Sequence, residues 1–313
     1  MLKRILGGAI LITVAIVAYF AWTQMGDSAQ PGQTPSDDPY FTANDRYVEA
    51  AGARWRVRET GPETGETLVL IHGFTHSLEA FEAWADRLDE TYRVIRFDLP
   101  AHGLTGPRED NAYSIPQTVD QVAALLDEIT EGPFILAGNS LGGLVAWRYA
   151  KDHEDQVKAL ILISPGGYSI NGVTETPVEV PDALKAFFRF APEIAIRAAT
   201  SALYADPSKV TDAQVRRITD LMKRDGNGEA MIARLEQFTL PDPQADLGEV
   251  EVPTLLIWGD HDTLVPTEHG PRFEAAMPNA RLVIIENAGH VAMEEAPEES
   301  LAPALEFLNG LNN

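Results

Sequence analysis

The chain of 313 residues is long enough for one large domain with a full core. Its 45% hydrophobic and 23% charged residues are ordinary for a globular protein. A formal net charge of −23 argues against nucleic acid, whose phosphates would be repelled, and against strong adsorption to anionic lipid headgroups. The absence of cysteine excludes disulfides, thiolate metal sites, a cysteine nucleophile and a lipid-modified cysteine anchor.

In chain order, Lys3 and Arg4 come first, followed by eighteen uncharged residues, Ile5 to Trp22, of which only Thr13 is polar. As a helix that segment spans about 27 Å, against a hydrocarbon thickness of roughly 30 Å. The basic residues lie only before it, so the positive-inside bias predicts a cytoplasmic N-terminus with everything after Trp22 outside. Tyr19, Phe20 and Trp22 crowd the positions where a small-x-small cleavage site would lie. Residues 1–24 are therefore expected to be an uncleaved signal anchor, with a cleaved signal peptide as the alternative. Residues 25–40, rich in Pro, Gly, Ser and Asp, are expected to be a disordered linker.

From residue 41 to 313 the pattern predicts a single α/β domain. Tyr47 to Ala50 and Ala53 to Arg58 suggest an opening hairpin, and Thr67 to Ile71 and Val94 to Phe97 are apolar runs typical of buried parallel strands. Leu78 to Leu88 and Ile115 to Ile129 have helical spacing. Later strands are expected at Phe134 to Ala137, Ala159 to Ile163, Thr254 to Trp258 and Arg281 to Ile285. Such alternation implies a mostly parallel sheet flanked by helices. Residues 166–249 break the rhythm, with several helical patterns and no good strand, and predict a helical cap inserted between core strands. Its Phe187, Phe188, Phe190 and Tyr204 either line an acyl pocket or pack the cap.

The chemistry begins at Gly138-Asn139-Ser140-Leu141-Gly142-Gly143. This is G-x-S-x-G between an apolar run and a helical pattern, the arrangement of a nucleophile elbow. Glycines flank the serine because a strained turn that brings strand and helix together leaves no room for a Cβ. A serine hydroxyl needs a histidine to take its proton, and that imidazole needs a carboxylate to fix its tautomer. Asp260-His261-Asp262 ends one later strand and Asn287-Ala288-Gly289-His290 follows the next. The order Ser140, Asp262, His290 differs from that of chymotrypsin- and subtilisin-type proteases. Asp260 and Asp262 compete for the acid position. A metal site at Asp260-His261-Asp262 is disfavoured, since no histidine pair at zinc spacing accompanies it.

With His72-Gly73-Phe74, Asp98-Leu99-Pro100-Ala101-His102-Gly103, Trp258-Gly259-Asp260-His261-Asp262 and Gly289-His290, these motifs resemble the α/β-hydrolase fold superfamily from about Tyr40 to the C-terminus. The likeness is to exported or membrane-anchored bacterial esterases and lipases with a helical cap. The family's G-x-x-D pattern selects Asp262 over Asp260. The resemblance implies a Ser140–Asp262–His290 triad acting through an acyl-serine intermediate. The backbone N–H groups of Leu141 and Phe74 would form its oxyanion hole. It implies no cofactor and no metal, and a small-molecule or lipid-like ester as substrate. His72 and His102 are expected to support their loops, and His76, His153, His261 and His269 to be ordinary surface or loop residues. The Gly-Asn-Ser element and Ser164-Pro165-Gly166-Gly167 also resemble carbon–carbon bond hydrolases of ring-fission products. Those enzymes carry an aromatic residue where Val291 stands. A non-catalytic ligand-binding member of the fold is the third reading, and it normally goes with a broken triad.

Overall fold

The computed structural model describes residues 38–311. The expected anchor, most of the linker and the last two residues lie outside the described residues. The chain is already held at Asp38, whose buried carboxylate pairs with Arg224, and the Tyr40 hydroxyl donates to Asp220 at 2.6 Å.

Eight strands form one sheet: β1 (Asp45–Ala50), β2 (Ala53–Thr60), β3 (Thr67–Ile71), β4 (Arg93–Phe97), β5 (Phe134–Asn139), β6 (Val157–Ile163), β7 (Thr254–Gly259) and β8 (Ala280–Ile285). Their order is β1-β2-β4-β3-β5-β6-β7-β8. The β1–β2 and β2–β4 pairs are antiparallel and the other five are parallel. The central strands carry apolar residues on both faces because helices cover both. One core layer holds Phe81, Trp84, Leu301 and Leu308, packed from the turn Leu78–Phe81, α1 (Glu82–Leu88) and the C-terminal helix Pro297–Gly310. The other holds Val122, Leu126, Leu144 and Phe273 from α2 (Ile115–Ile129), α3 (Leu141–Asp152) and the helix His269–Ala276. A capping box between Ser114 and Gln117, followed by Pro116, starts α2 where the sequence predicts a helix.

Between β6 and β7 the expected cap is present as five helices: α4 (Asp182–Phe190), α5 (Glu193–Ser201), α6 (Asp212–Met222), α7 (Asn227–Glu236) and α8 (Gln244–Gly248). Parallel strands place their carboxyl ends along one edge, where open α/β sheets bind ligands. Ser140 follows β5, Asp262 follows β7 and His290 follows β8. All three loops therefore emerge on that edge, beneath the cap.

Candidate active site

Ser140 sits at φ 54° and ψ −113°, far from the regions an L-residue prefers. Such strain costs about 1–3 kcal/mol and persists only where the surroundings enforce it. Here the Ser140 N–H donates to the Ile163 carbonyl at 3.0 Å, and its carbonyl accepts from Leu144 at 2.9 Å and Gly166 at 3.0 Å. The glycines are required by contact. A Cβ on Gly138 would lie 2.4 Å from the Gly142 carbonyl carbon, and one on Gly142 would lie 2.2 Å from the Ile71 oxygen. One on Gly73 would sit 3.2 Å from the Ser140 Cβ, so the His72–Phe74 loop abuts the elbow directly.

Asp262 and His290 lie side by side. His290 Nδ1 lies 2.8 Å from Asp262 Oδ2, and both side chains are buried. The other carboxylate oxygen, Oδ1, accepts the N–H groups of Leu264 and Val265 at 2.9 Å each. Asp260 points elsewhere. Its Oδ1 lies 2.6 Å from His261 Nδ1 at the surface. His290 Nε2 is buried and makes no hydrogen bond among the described residues. It shares with Ser140 a cavity of about 270 Å³ lined also by Phe74, Phe187, Phe188 and Ile196. A second cavity of about 300 Å³ is also lined by Ser140, together with Leu141, Leu144, Ile170, Val173 and Phe238. Ser140, Phe74, Leu184, Leu235 and Leu264 line both. Of the aromatic cap residues, Phe187 and Phe188 line a cavity, Phe190 is exposed, and Tyr204 is buried and hydrogen-bonded to Glu294.

The remaining histidines divide differently from expectation. His72 is a loop support: its Nδ1–H donates to the Gly73 carbonyl at 2.8 Å while Nε2 accepts the Leu99 N–H at 2.9 Å. Burial keeps it neutral, lowering its pKa to about 4. His102, whose pKa burial drives well below the usual imidazole range, bonds the Pro100 carbonyl at 3.1 Å. His76 and His269 are not surface residues, since both are buried. His76 packs against the Glu294 carboxylate and His269 against the Tyr168 ring. Those partners lie on distant segments, which is why the local sequence gave no sign of them.

Two further residues organise the site. Asn139 Nδ2 donates to the carbonyls of Ile163 at 3.0 Å and His290 at 3.1 Å, tying the histidine loop to the elbow. Glu295 accepts the N–H groups of Gly289 at 2.6 Å, Ala205 at 3.0 Å and Asp206 at 2.7 Å, joining that loop to the cap. The signal for Asn139 was a polar residue ending an otherwise apolar strand. For Glu294-Glu295 it was a pair of acids directly after the apolar Val291-Ala292-Met293. Asp98 has a supporting part. It accepts the N–H groups of Leu78 and Leu104 at 2.8 Å each and the Arg56 guanidinium at 3.2 Å.

A family model described as the alpha/beta hydrolase fold matches residues 66–297. The chain belongs to the alpha/beta hydrolase family. Among relatives of this hydrolase, a 2-hydroxy-6-oxononadienedioate/2-hydroxy-6-oxononatrienedioate hydrolase of Burkholderia vietnamiensis is 30% identical over 85% of this chain and 96% of its own. A pimeloyl-[acyl-carrier protein] methyl ester esterase of Neisseria meningitidis is 28% identical over 82% of this chain and 99% of its own. A solved structure of a membrane phospholipase A, described as a bacterial virulence factor, superposes with a TM-score of 0.74. It is 28% identical over 86% of each chain. Within the hydrolase, no helix of the described residues is long and apolar enough to cross a membrane. No described cluster of three or more His, Asp or Glu could hold a metal ion.

Proposed function

We propose that this hydrolase cleaves carboxylic esters through an acyl-serine intermediate. The observation that carries the reading is the Asp262–His290 pair, with the free His290 Nε2 and Ser140 facing one cavity and a second apolar cavity opening beside the serine. In this mechanism His290 Nε2 takes the Ser140 proton as Oγ attacks the ester carbonyl, and then delivers it to the departing alcohol. Asp262 keeps the proton on Nδ1 so that Nε2 can accept. The N–H groups of Leu141 and Phe74 receive the developing oxyanion, a term worth about 10²–10³ in rate per donor. Water, activated by the same histidine, then releases the acid. The two cavities suit the two halves of an ester, one apolar chain on each side of the scissile bond.

The N-terminal segment Ile5 to Trp22 would anchor this activity, with the catalytic domain outside the cytoplasm. Support comes from its length, its apolar composition and the basic residues before it. A second reading, carbon–carbon bond hydrolysis of a ring-fission dienoate, is favoured by the similarity to the Burkholderia vietnamiensis enzyme.

A panel of p-nitrophenyl esters of increasing acyl length, run beside a ring-fission dienoate, separates the two. Each methylene buried in an apolar cavity contributes about 0.8 kcal/mol, so kcat/KM should rise about fourfold per carbon until the cavity is full. Turnover of the dienoate well above all esters would replace the ester reading with the second. The same assay on fractionated cells tests the anchor. Activity should stay with membranes through an alkaline wash, and release of a soluble form would overturn it.

A further inference from the structure

Glu294 and His76 form a buried ion pair that the steps above do not use. His76 follows Phe74 by two residues and lines the cavity that Ser140 and His290 share. Its Nδ1 lies 3.1 Å from the Phe74 carbonyl oxygen, and its Nε2 lies 3.3 Å from Glu294 Oε2, a charge contact that closes no hydrogen bond. An imidazole whose two nitrogens face a carbonyl and a carboxylate is satisfied only when both carry protons. Glu294 is reached from the cap as well. The Tyr204 hydroxyl donates to Oε2 at 3.2 Å, Gln214 of α6 donates to that hydroxyl at 2.8 Å, and the Arg217 guanidinium lies 3.4 Å from Oε1. Three parts of the site therefore converge on one carboxylate: the Phe74 loop, the segment after His290, and the cap.

We propose that the His76–Glu294 pair is a positioning device, in which the imidazolium grips the Phe74 carbonyl and thereby sets the peptide chain that presents the Phe74 N–H, coupling that N–H to the seated cap. The proposal rests on the reading of Phe74 as an oxyanion donor. Its physical basis is the steep dependence of catalysis on placement: a displacement of about 1 Å can cost about 10²-fold. Only a doubly protonated ring holds both contacts.

The charged and titratable groups around His76 favour that state. Burial opposes the charge, but Glu294 outweighs it and raises the His76 pKa above the ordinary imidazole value. Burial likewise opposes ionisation of Glu294, yet His76 and Arg217 hold its carboxyl below the usual range. Arg217 acts weakly against His76 from α6, and the neutral His72 and His102 lie on the neighbouring loops. Burial and Glu294 push the Tyr204 phenol upward, which keeps it a neutral donor. Because the pKa of His76 is raised, its grip is complete below the ordinary imidazole value and persists somewhat above it. It is lost as pH climbs through that raised value.

The test compares His76→Ala, His76→Asn and Glu294→Gln in the full chain, with Ser140→Ala as control. Asparagine can place its amide N–H near the position of Nδ1 without a charge. His76→Ala should lower kcat roughly ten- to hundredfold with KM nearly unchanged. His76→Asn should recover most of that loss, and both it and Glu294→Gln should lack the alkaline fall in kcat expected of the wild type. A trifluoromethyl ketone, which binds Ser140 as a tetrahedral adduct, should lose affinity for His76→Ala by the same factor. A methyl ketone that remains trigonal should not. If Ser140→Ala is inactive while His76→Ala keeps wild-type kcat and pH profile, the positioning role is overturned and the reading of the site stands. Equal weakening of both ketones would also overturn it, since that is the effect of simple loss of packing. An active Ser140→Ala would instead overturn the reading on which the proposal rests.

Discussion

Ser140→Ala is expected to lower ester hydrolysis by about 10⁶-fold while leaving the fold intact. The size of the loss follows from the cooperation of the three groups. Without Oγ, the His290 base has no proton to take and the oxyanion donors have no adduct to hold. Only their modest effect on a direct attack by water remains. The fold should survive because the strained φ of 54° at residue 140 is imposed by the glycine contacts and the Ile163, Leu144 and Gly166 hydrogen bonds. The hydrogen bonds and the contacts at Gly138 and Gly142 use backbone, the Gly73 contact meets a Cβ that alanine keeps, and none involves the hydroxyl. A melting temperature within a few degrees of wild type, measured beside the kinetics, separates loss of chemistry from loss of structure.

Asp262→Asn is expected to cost about 10⁴-fold in kcat, and Asp260→Asn very little. Oδ1 of Asp262 is fixed as an acceptor by two backbone N–H groups, those of Leu264 and Val265. An asparagine there would keep its carbonyl on those donors and turn its NH₂ toward His290 Nδ1. The ring would then carry its proton on Nε2, where it cannot accept one from Ser140. Asp260 has no such leverage. Its carboxylate is turned to the exposed His261 ring and the Ala288 N–H instead of to His290. Steady-state kinetics of the two variants with one p-nitrophenyl ester would decide the matter. The opposite ranking would reassign the acid.

The fold was legible because its strongest signals are local. Buried parallel strands read as uninterrupted apolar runs, and each of the runs at residues 67–71, 134–137, 159–163 and 254–258 falls within a strand. The elbow was legible for a related reason: three glycines in six residues mark a turn that excludes Cβ atoms, and the contacts at Gly138 and Gly142 show what excludes them. The placement of Asp262 and His290 needed the order of strands as well as the motifs, since β7 and β8 must lie next to each other for the two loops to meet.

What stayed hidden depends on side chains converging from far apart in sequence. His76 looked like a loop histidine because its partner Glu294 lies more than two hundred positions away, on a segment whose nearest cue was a neighbouring histidine. The lining of the two cavities was hidden for the same reason. It mixes the Phe74 loop, the elbow helix and residues scattered along the cap, so helical spacing alone could not tell Phe187, which lines a cavity, from Phe190, which faces outward.

Acylation of Ser140 is the step on which the proposed chemistry turns. Intact-mass analysis after treatment with a fluorophosphonate, followed by peptide mapping, tests it most directly. One phosphonyl group per chain is expected, on Ser140, with labelling slowed by several orders of magnitude in Asp262→Asn. An unlabelled protein that still hydrolyses esters, or a label on any other residue at the same rate, would contradict it.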